Sequence, residues 1–314
     1  MKIITLIPIK NEDWILDYTL KNISKFSDYI IVADQMSEDK SREICKKYEK
    51  VILLDNKEKF HSNKVRWQML DAARNFEGNN FIFSIDADEF ISPLIKEKLI
   101  KIQNNIYPGT TISFQWIQLC EPFGYYRNDG VWKNSFKPIA FWDNRKMNYI
   151  KQQVANDHVG RVPYDKSYPN IKIEGYPLLH LQFAASKKTQ IRQAWYRCSE
   201  LILENKSPRK INHFYRETYD ESKAIKLPLR KEWLKEIELP DNLNTIYSKW
   251  RTKQIFEWFD EYGIEKFEPL QIWHIPELHD EFIKRINREP KSQIYPYWLI
   301  KMNDIKNKIK NQYK

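Results

Sequence analysis

Glycine is scarce. The 314 residues hold only seven, Gly78, Gly109, Gly124, Gly130, Gly160, Gly175 and Gly263. None are spaced to form G-x-G-x-x-G or G-x-x-x-x-G-K-[ST], so glycine-fingerprint dinucleotide enzymes and P-loop NTPases are excluded. A phosphate-bearing ligand must then be held by side chains or a metal ion. Cysteine is scarcer still. Cys45, Cys120 and Cys198 lie far apart and are odd in number, which supports neither a disulfide framework nor a metal knuckle. No apolar run reaches the 18 residues of a membrane span. The apolar run before Lys10 is too short for a signal peptide, so a cytoplasmic protein is expected.

What is present is aromatic and basic. Phe, Trp and Tyr make up 14% of the chain, with 11 Trp, a composition that argues against disorder. The net charge is +10, of which +3 falls in residues 1–185 and +7 in 186–314. The basic residues are dispersed and interleaved with Glu, without a nucleic-acid-binding motif, so no nucleic-acid partner is expected.

The first hundred residues alternate between strand and helix patterns. Ile3–Pro8, Tyr29–Ala33, Val51–Leu54 and Phe81–Ile85 are short apolar runs of the kind that form buried strands. Between them, Leu16, Leu20 and Ile23, and then Val65, Met69, Ala72 and Ala73, recur at helical spacing. Ser37 is read as the N-cap of a helix through about Lys47, and Ser92-Pro93 as the opening of another. Four βα units imply a parallel, helix-covered sheet. Thr110–Leu119, Lys137–Trp142 and Ile171–Phe183 read as further strands. From Ser186 the pattern is helical, interrupted at Ser207-Pro208. The expected organisation is a domain over residues 1–185 followed by a helical region over 186–314.

Open α/β sheets bind ligands at the carboxyl ends of their strands. Here those ends carry Lys10, Asn11, Glu12 and Asp13 after the first strand, Asp34 after the second, and Asp86, Asp88 and Glu89 after the fourth. Crowded carboxylates repel unless a cation joins them, and hard divalent cations are commonly shared with a substrate's phosphates.

In order, Ile7-Pro8-Ile9-Lys10-Asn11-Glu12, Ile30-Ile31-Val32-Ala33-Asp34 with Ser37-Glu38-Asp39, and Phe81-Ile82-Phe83-Ser84-Ile85-Asp86-Ala87-Asp88-Glu89 resemble the nucleotide-sugar half of family 2 glycosyltransferases of the GT-A fold. The resemblance covers about residues 1–185. It implies an α/β fold, a Rossmann-like mixed sheet flanked by helices, with a mostly helical C-terminal extension. It implies inverting transfer of a sugar from a nucleotide-diphosphate donor to the hydroxyl of a glycan or lipid-linked acceptor, in glycan or surface polysaccharide assembly. Asp86 and Asp88 fall on the family's DxD motif. Asp88 would ligate Mn or Mg, and Asp86 would approach the ribose, or the metal through water. Asp34 falls on the acidic residue that contacts base or ribose, and Pro8 and Asn11 on the loop lining the nucleotide pocket. Arg66 or Lys64 stands where a basic residue contacts the nucleotide. His180 resembles a late histidine that completes the metal site in some relatives.

The general base must be a carboxylate facing the acceptor hydroxyl. The family's short His-Glu element has its nearest counterpart in Asn156-Asp157-His158, which points to Asp157, with Asp143 and Glu174 behind it. Trp116, Phe123, Tyr125, Tyr126 and Trp132 are candidates for the acceptor side. The tail, Trp298–Lys314, spaces Ile300, Ile305 and Ile309 among lysines, as in a basic amphipathic helix that contacts the inner face of a membrane. Two competing functions share parts of the pattern. A non-catalytic nucleotide-sugar-binding scaffold would keep the carboxylates without turnover. A nucleotidyltransferase would need a basic Gly-rich loop after the first strand, which is lacking. A haloacid-dehalogenase-type phosphatase would need its aspartates at the first strand and a later Gly-Asp pair, and this chain has neither.

Overall fold

The computed structural model describes residues 1–58, 63–149, 160–163, 165–219, 224–240 and 249–292. They form two compact units, Met1–Ser186 with Ala224–Ser248, and Lys187–Lys223 with Lys249–Lys314.

The first unit is built on the apolar runs. These become β1 (Ile3–Ile9), β2 (Tyr29–Asp34), β3 (Val51–Asp55) and β4 (Phe81–Ser84), joined through helices α1 (Leu16–Ser24), α2 (Ser41–Cys45) and α3 (Asn63–Arg74). β1 pairs in parallel with β2 on one side and β4 on the other, and β3 continues beyond β2. Strand alternation sorts the side chains. Ile3, Ile7, Ile30, Val32, Phe81 and Phe83 pack with Leu16, Leu20 and Ile23 of α1, while Ile4, Leu6, Ile31, Ala33 and Ile82 pack with Val65, Met69, Leu70 and Ala73 of α3. Helices therefore cover both faces. The chain leaves β1 toward β2 and returns to its other side at β4, which makes a topological switch point at the carboxyl ends of β1 and β4.

Next come β5 (Glu89–Phe90), α4 (Ile95–Ile102), β6 (Thr111–Cys120), β7 (Tyr125–Arg127), β8 (Phe136–Trp142) and β9 (Asn170–Phe183). β8 runs antiparallel to β4 and to β6, and β9 lies parallel to β6 and antiparallel to β5. Gly109, at φ +108°, turns the chain into β6 where the Tyr168 ring fills the space a Cβ would need. A short β10 (Lys226–Pro228), unexpected from the helical pattern of that region, returns to pair with β7.

Two helices depart from the expected bounds: α4 begins at Ile95, past the expected Ser92-Pro93 opening, and α2 differs at its start as well. α2 begins at Ser41 rather than after Ser37. The Ser37 hydroxyl is instead engaged across the sheet edge, where it accepts the Asn11 N–H at 2.8 Å. The Asn11 side-chain oxygen accepts the Glu38 N–H at 2.7 Å, and Ser41 Oγ accepts the Glu12 N–H at 2.9 Å. These bonds lace together the loops after β1 and β2. Asn11 holds the left-handed φ of +54° that the lacing requires, a conformation asparagine tolerates better than most residues.

The second unit is helical: α5 (Ser186–Leu203), α6 (Pro208–Phe214), α7 (Arg216–Tyr219), α8 (Trp250–Tyr262) and α9 (Pro276–Ile286). Pro208 and Pro276 each stand in the first turn of their helix, where the missing N–H costs nothing. Its core is aromatic. Trp195 packs against Trp250 and Trp258, and Phe259 against Phe267 and Trp273. No helix among the described residues is long and apolar enough to cross a membrane. Asp157, His158 and the Trp298–Lys314 tail lie outside the described residues.

Candidate active site

The site grows from the loop that ends β4. The Thr19 hydroxyl of α1 donates to the Ala87 carbonyl at 2.5 Å, and the Leu181 N–H of β9 donates to the Asp88 carbonyl at 3.0 Å. Glu89 closes the loop on itself, with its carboxylate accepting the Asp86 N–H at 2.9 Å. The Asp86-Ala87-Asp88 turn is thus fixed from three directions, at the switch point of the sheet.

Its side chains gather residues from four other elements. The β5–β9 ladder sets Glu89 opposite His180. Asp88 Oδ1 lies 3.3 Å from His180 Nε2, with both side chains buried. His180 Nδ1 is buried and has no hydrogen-bond partner among the described residues. The His180 ring stacks on Trp116 of β6, with centroids 5.4 Å apart. Trp116 Nε1 donates to Glu89 at 3.2 Å. From α3, Arg66 donates to Ser84 Oγ at 2.7 Å and comes within 3.6 Å of Asp86. Lys64, two residues earlier and so on the other side of the helix, turns outward to Glu58 at 3.2 Å. Of the two basic candidates, Arg66 is the one brought to the site.

Two further groups that motif reading does not reach, Arg161 and Lys137, belong to this cluster, and Glu89, the last residue of the motif, joins them. Arg161, 75 residues beyond Asp86, donates one nitrogen to Asp86 and another to Glu89. Glu89 is completely buried, and its carboxylate is the hub that Arg161, Trp116 and the Asp86 N–H share. Lys137, at the start of β8, places its ammonium 3.1 Å from the centre of the Trp116 ring. The antiparallel β4–β8 register puts the beginning of β8 level with the end of β4, so Lys137 and the carboxylate loop meet.

The electrostatics follow from this crowding. Loss of solvent pushes the Asp86 carboxyl up, but the Arg161 and Arg66 guanidiniums outweigh it and hold Asp86 below the usual carboxylate range. Burial and then Arg161 lower the Lys137 ammonium from 10.5 to about 8. Between about pH 8 and 10.5 the folded protein therefore binds fewer protons at Lys137 than the unfolded chain does. The penalty of the charged lysine is complete below that window and fades as pH rises through it. Lys137→Met is expected to be more stable than wild type at pH 7, with the gap closing toward pH 10.5. Urea denaturation at a series of pH values reads this directly, and a gap that does not change with pH contradicts it.

The remaining expected residues are placed as follows. Pro8 pairs with Ala33 near the end of β1. Asn11 is buried in the lacing between the two loops. Asp34 is fully buried at the end of β2, where it accepts from Arg42 at 2.7 Å and from the Ser37 N–H. Arg42 also reaches Asp55 at 2.9 Å, so the group presented beside Asp34 is a guanidinium. Asp143 lies at the opposite edge of the sheet, just past the β8 residue paired with the first residue of β4, and is held bidentately by Arg74. Glu174 is exposed on β9, six residues and roughly 20 Å of strand before His180. Neither Asp143 nor Glu174 joins the cluster. Among the aromatic candidates, Trp116 is at the site and Phe123 and Tyr125 are exposed. Tyr126 and Trp132 are instead core residues, packed on Trp233 and Phe183 because their positions on the β6–β7 side face inward.

Sequence comparison gives the family. The profile of glycosyl transferase family 2 matches residues 5–166. With just over half of its residues in that match, the chain belongs to glycosyl transferase family 2. No curated protein matches the sequence. Among solved structures, residues 1–349 of S. aureus TarS in complex with UDP-GlcNAc are similar over 94% of this chain and 95% of that one, at 13% identity and a TM-score of 0.42. Glucosyl-3-phosphoglycerate synthase from Mycobacterium tuberculosis, in complex with Mn2+, UDP-glucose and phosphoglyceric acid, is similar over 32% of this chain and 39% of that one, at 19% identity and a TM-score of 0.27.

Proposed function

We propose that this family 2 glycosyltransferase uses a nucleoside-diphosphate sugar as donor, needs Mn or Mg, and transfers with inversion to the hydroxyl of a glycan or lipid-linked acceptor. The observation that carries the reading is the Asp86–Asp88 loop with His180, Arg66 and Arg161 gathered around it at the switch point. Among the described residues no three carboxylate, imidazole or thiolate side chains form a ready cage for a metal ion. The donor set nevertheless fits a divalent cation that arrives with its substrate. Asp88 and His180 stand 3.3 Å apart, one imidazole nitrogen has no partner among the described residues, and phosphate oxygens and water would complete the shell. When bound, the cation would neutralise charge developing on the leaving diphosphate.

The chain's own residues would do the rest. Asp88 and His180 would hold the cation, with Asp86 beside them. Arg66, fixed by Ser84, would present positive charge to the diphosphate. Pro8, Asn11 and Asp34 would shape the nucleotide pocket through the laced loops. Asp157 would accept the acceptor's proton, and it leaves the mechanism if Asp157→Asn turns over as wild type does. Residues 186–314 would face the acceptor, and contact with the cytoplasmic face of a membrane through the basic tail belongs to the same reading.

Product analysis separates this function from its rivals. Incubation with nucleotide sugars is expected to release a nucleoside diphosphate, to stop with EDTA and to resume on adding Mn2+. Release of pyrophosphate would instead indicate nucleotidyl transfer. Binding without any release would indicate a scaffold.

A further inference from the structure

Arg161 occupies a position that the donor-site reading alone does not explain. Its guanidinium is spread across two carboxylates, Asp86 and the fully buried Glu89, and its side chain is only 13% exposed. Arg66 approaches the other oxygen of Asp86. The loop's three carboxylates, Asp86, Asp88 and Glu89, are thus faced by two guanidiniums that keep their proton, with the Lys137 ammonium beside them. In this state a divalent cation entering alone meets two guanidiniums, and Asp86 is already taken. A nucleoside diphosphate entering alone meets three carboxylates. When the two enter together their charges nearly cancel, and the site keeps its balance provided one guanidinium changes partner. Arg66 is enclosed, with its side chain 3% exposed, whereas Arg161 holds Asp86 and Glu89 through separate nitrogens and can release Asp86 while Glu89 still anchors it, so Arg161 is the one to change.

We infer that Arg161 couples the cation to the nucleotide: it pairs with Asp86 and Glu89 in the free protein, yields Asp86 when the cation binds, and turns its charge to the diphosphate. The inference rests on the reading of this loop as the donor site. Coupling of this kind is reciprocal, so the diphosphate strengthens cation binding by the same factor as the cation strengthens diphosphate binding.

The test is Mn2+ binding to the full chain, followed by the EPR signal of free Mn2+. It is run with Mn2+ alone and then with whichever of UDP, GDP, CDP, ADP or dTDP tightens Mn2+ binding most in wild type. Arg161→Gln is expected to bind Mn2+ alone about tenfold more tightly than wild type, while the nucleotide's enhancement falls by about tenfold. Arg161→Lys keeps the charge and is expected to keep the enhancement. A purely structural role for Arg161 predicts no gain in affinity for Mn2+ alone. If Arg161→Gln loses its circular dichroism, the double variant Glu89→Gln/Arg161→Gln, which leaves no bare buried carboxylate, is measured in its place. Wild-type coupling that persists unchanged in these variants overturns the inference and leaves the donor site standing. Absence of nucleotide-enhanced Mn2+ binding in wild type overturns both.

Discussion

Replacing Glu89 with alanine is expected to lower the unfolding free energy by about 3–5 kcal/mol, the usual cost of removing one partner of a buried ion pair. Glu89 is fully buried, and its carboxylate satisfies Arg161, the Trp116 indole N–H and the Asp86 N–H together. Removing it leaves three donors facing a cavity, one of them charged. Glu89→Gln retains an acceptor for the two neutral donors but not the counter-charge of Arg161, and is expected to cost less, about 1–3 kcal/mol. Urea denaturation followed by tryptophan fluorescence measures both. The order wild type, Gln, Ala is the expected result. An alanine variant within about 1 kcal/mol of wild type would mean that the hub is not what holds the acidic loop.

Asp88→Ala is expected to have the opposite profile, with a small effect on folding and a large one on turnover. Asp88 is buried beside His180, yet its backbone is held independently, through the Leu181 N–H on its carbonyl. Loss of the carboxylate should cost about 1–2 kcal/mol of stability. Donor turnover should fall by about a thousandfold, because a bound cation supplies several kcal/mol of transition-state stabilisation and each 1.36 kcal/mol is a factor of ten. The measurement is release of nucleoside diphosphate at saturating Mn2+ on a variant whose circular dichroism matches wild type. A fall of less than about tenfold would show that Asp88 does not hold the cation.

Much of this arrangement is legible in the sequence because it is local. β1, β2 and β4 are apolar runs that lead within two residues to Asn11, Asp34 and Asp86, so runs and polar ends together predict strands with polar tips. The first helix of the second unit follows from the helical pattern that begins at Ser186, whereas Pro208, read as an interruption, opens a helix of its own. What is not legible is set by register. β5 and β10 have two and three residues, too few to display a period, yet β5 is what puts Glu89 opposite His180. Lys137 reaches the site only because β8 is antiparallel to β4, and Arg161 only because the chain returns after 75 residues. Ser37 misleads for a related reason. Its spacing suits a helix cap, but its hydroxyl is engaged by Asn11, 26 residues earlier. Asp143 looks like a spare catalytic carboxylate until the strand direction puts it at the wrong edge, paired to Arg74.

The account turns on one claim, that the loop between Asp86 and Asp88 binds a nucleoside-diphosphate sugar together with a divalent cation. A thermal-shift panel of nucleotide sugars, each with and without Mn2+, on wild type and Asp88→Ala, tests it most directly, because a ligand that binds only the folded chain raises its melting temperature. The predicted result is stabilisation of wild type by one donor, dependent on Mn2+ and absent in Asp88→Ala. Stabilisation by no donor, or equal stabilisation of both proteins, would contradict it.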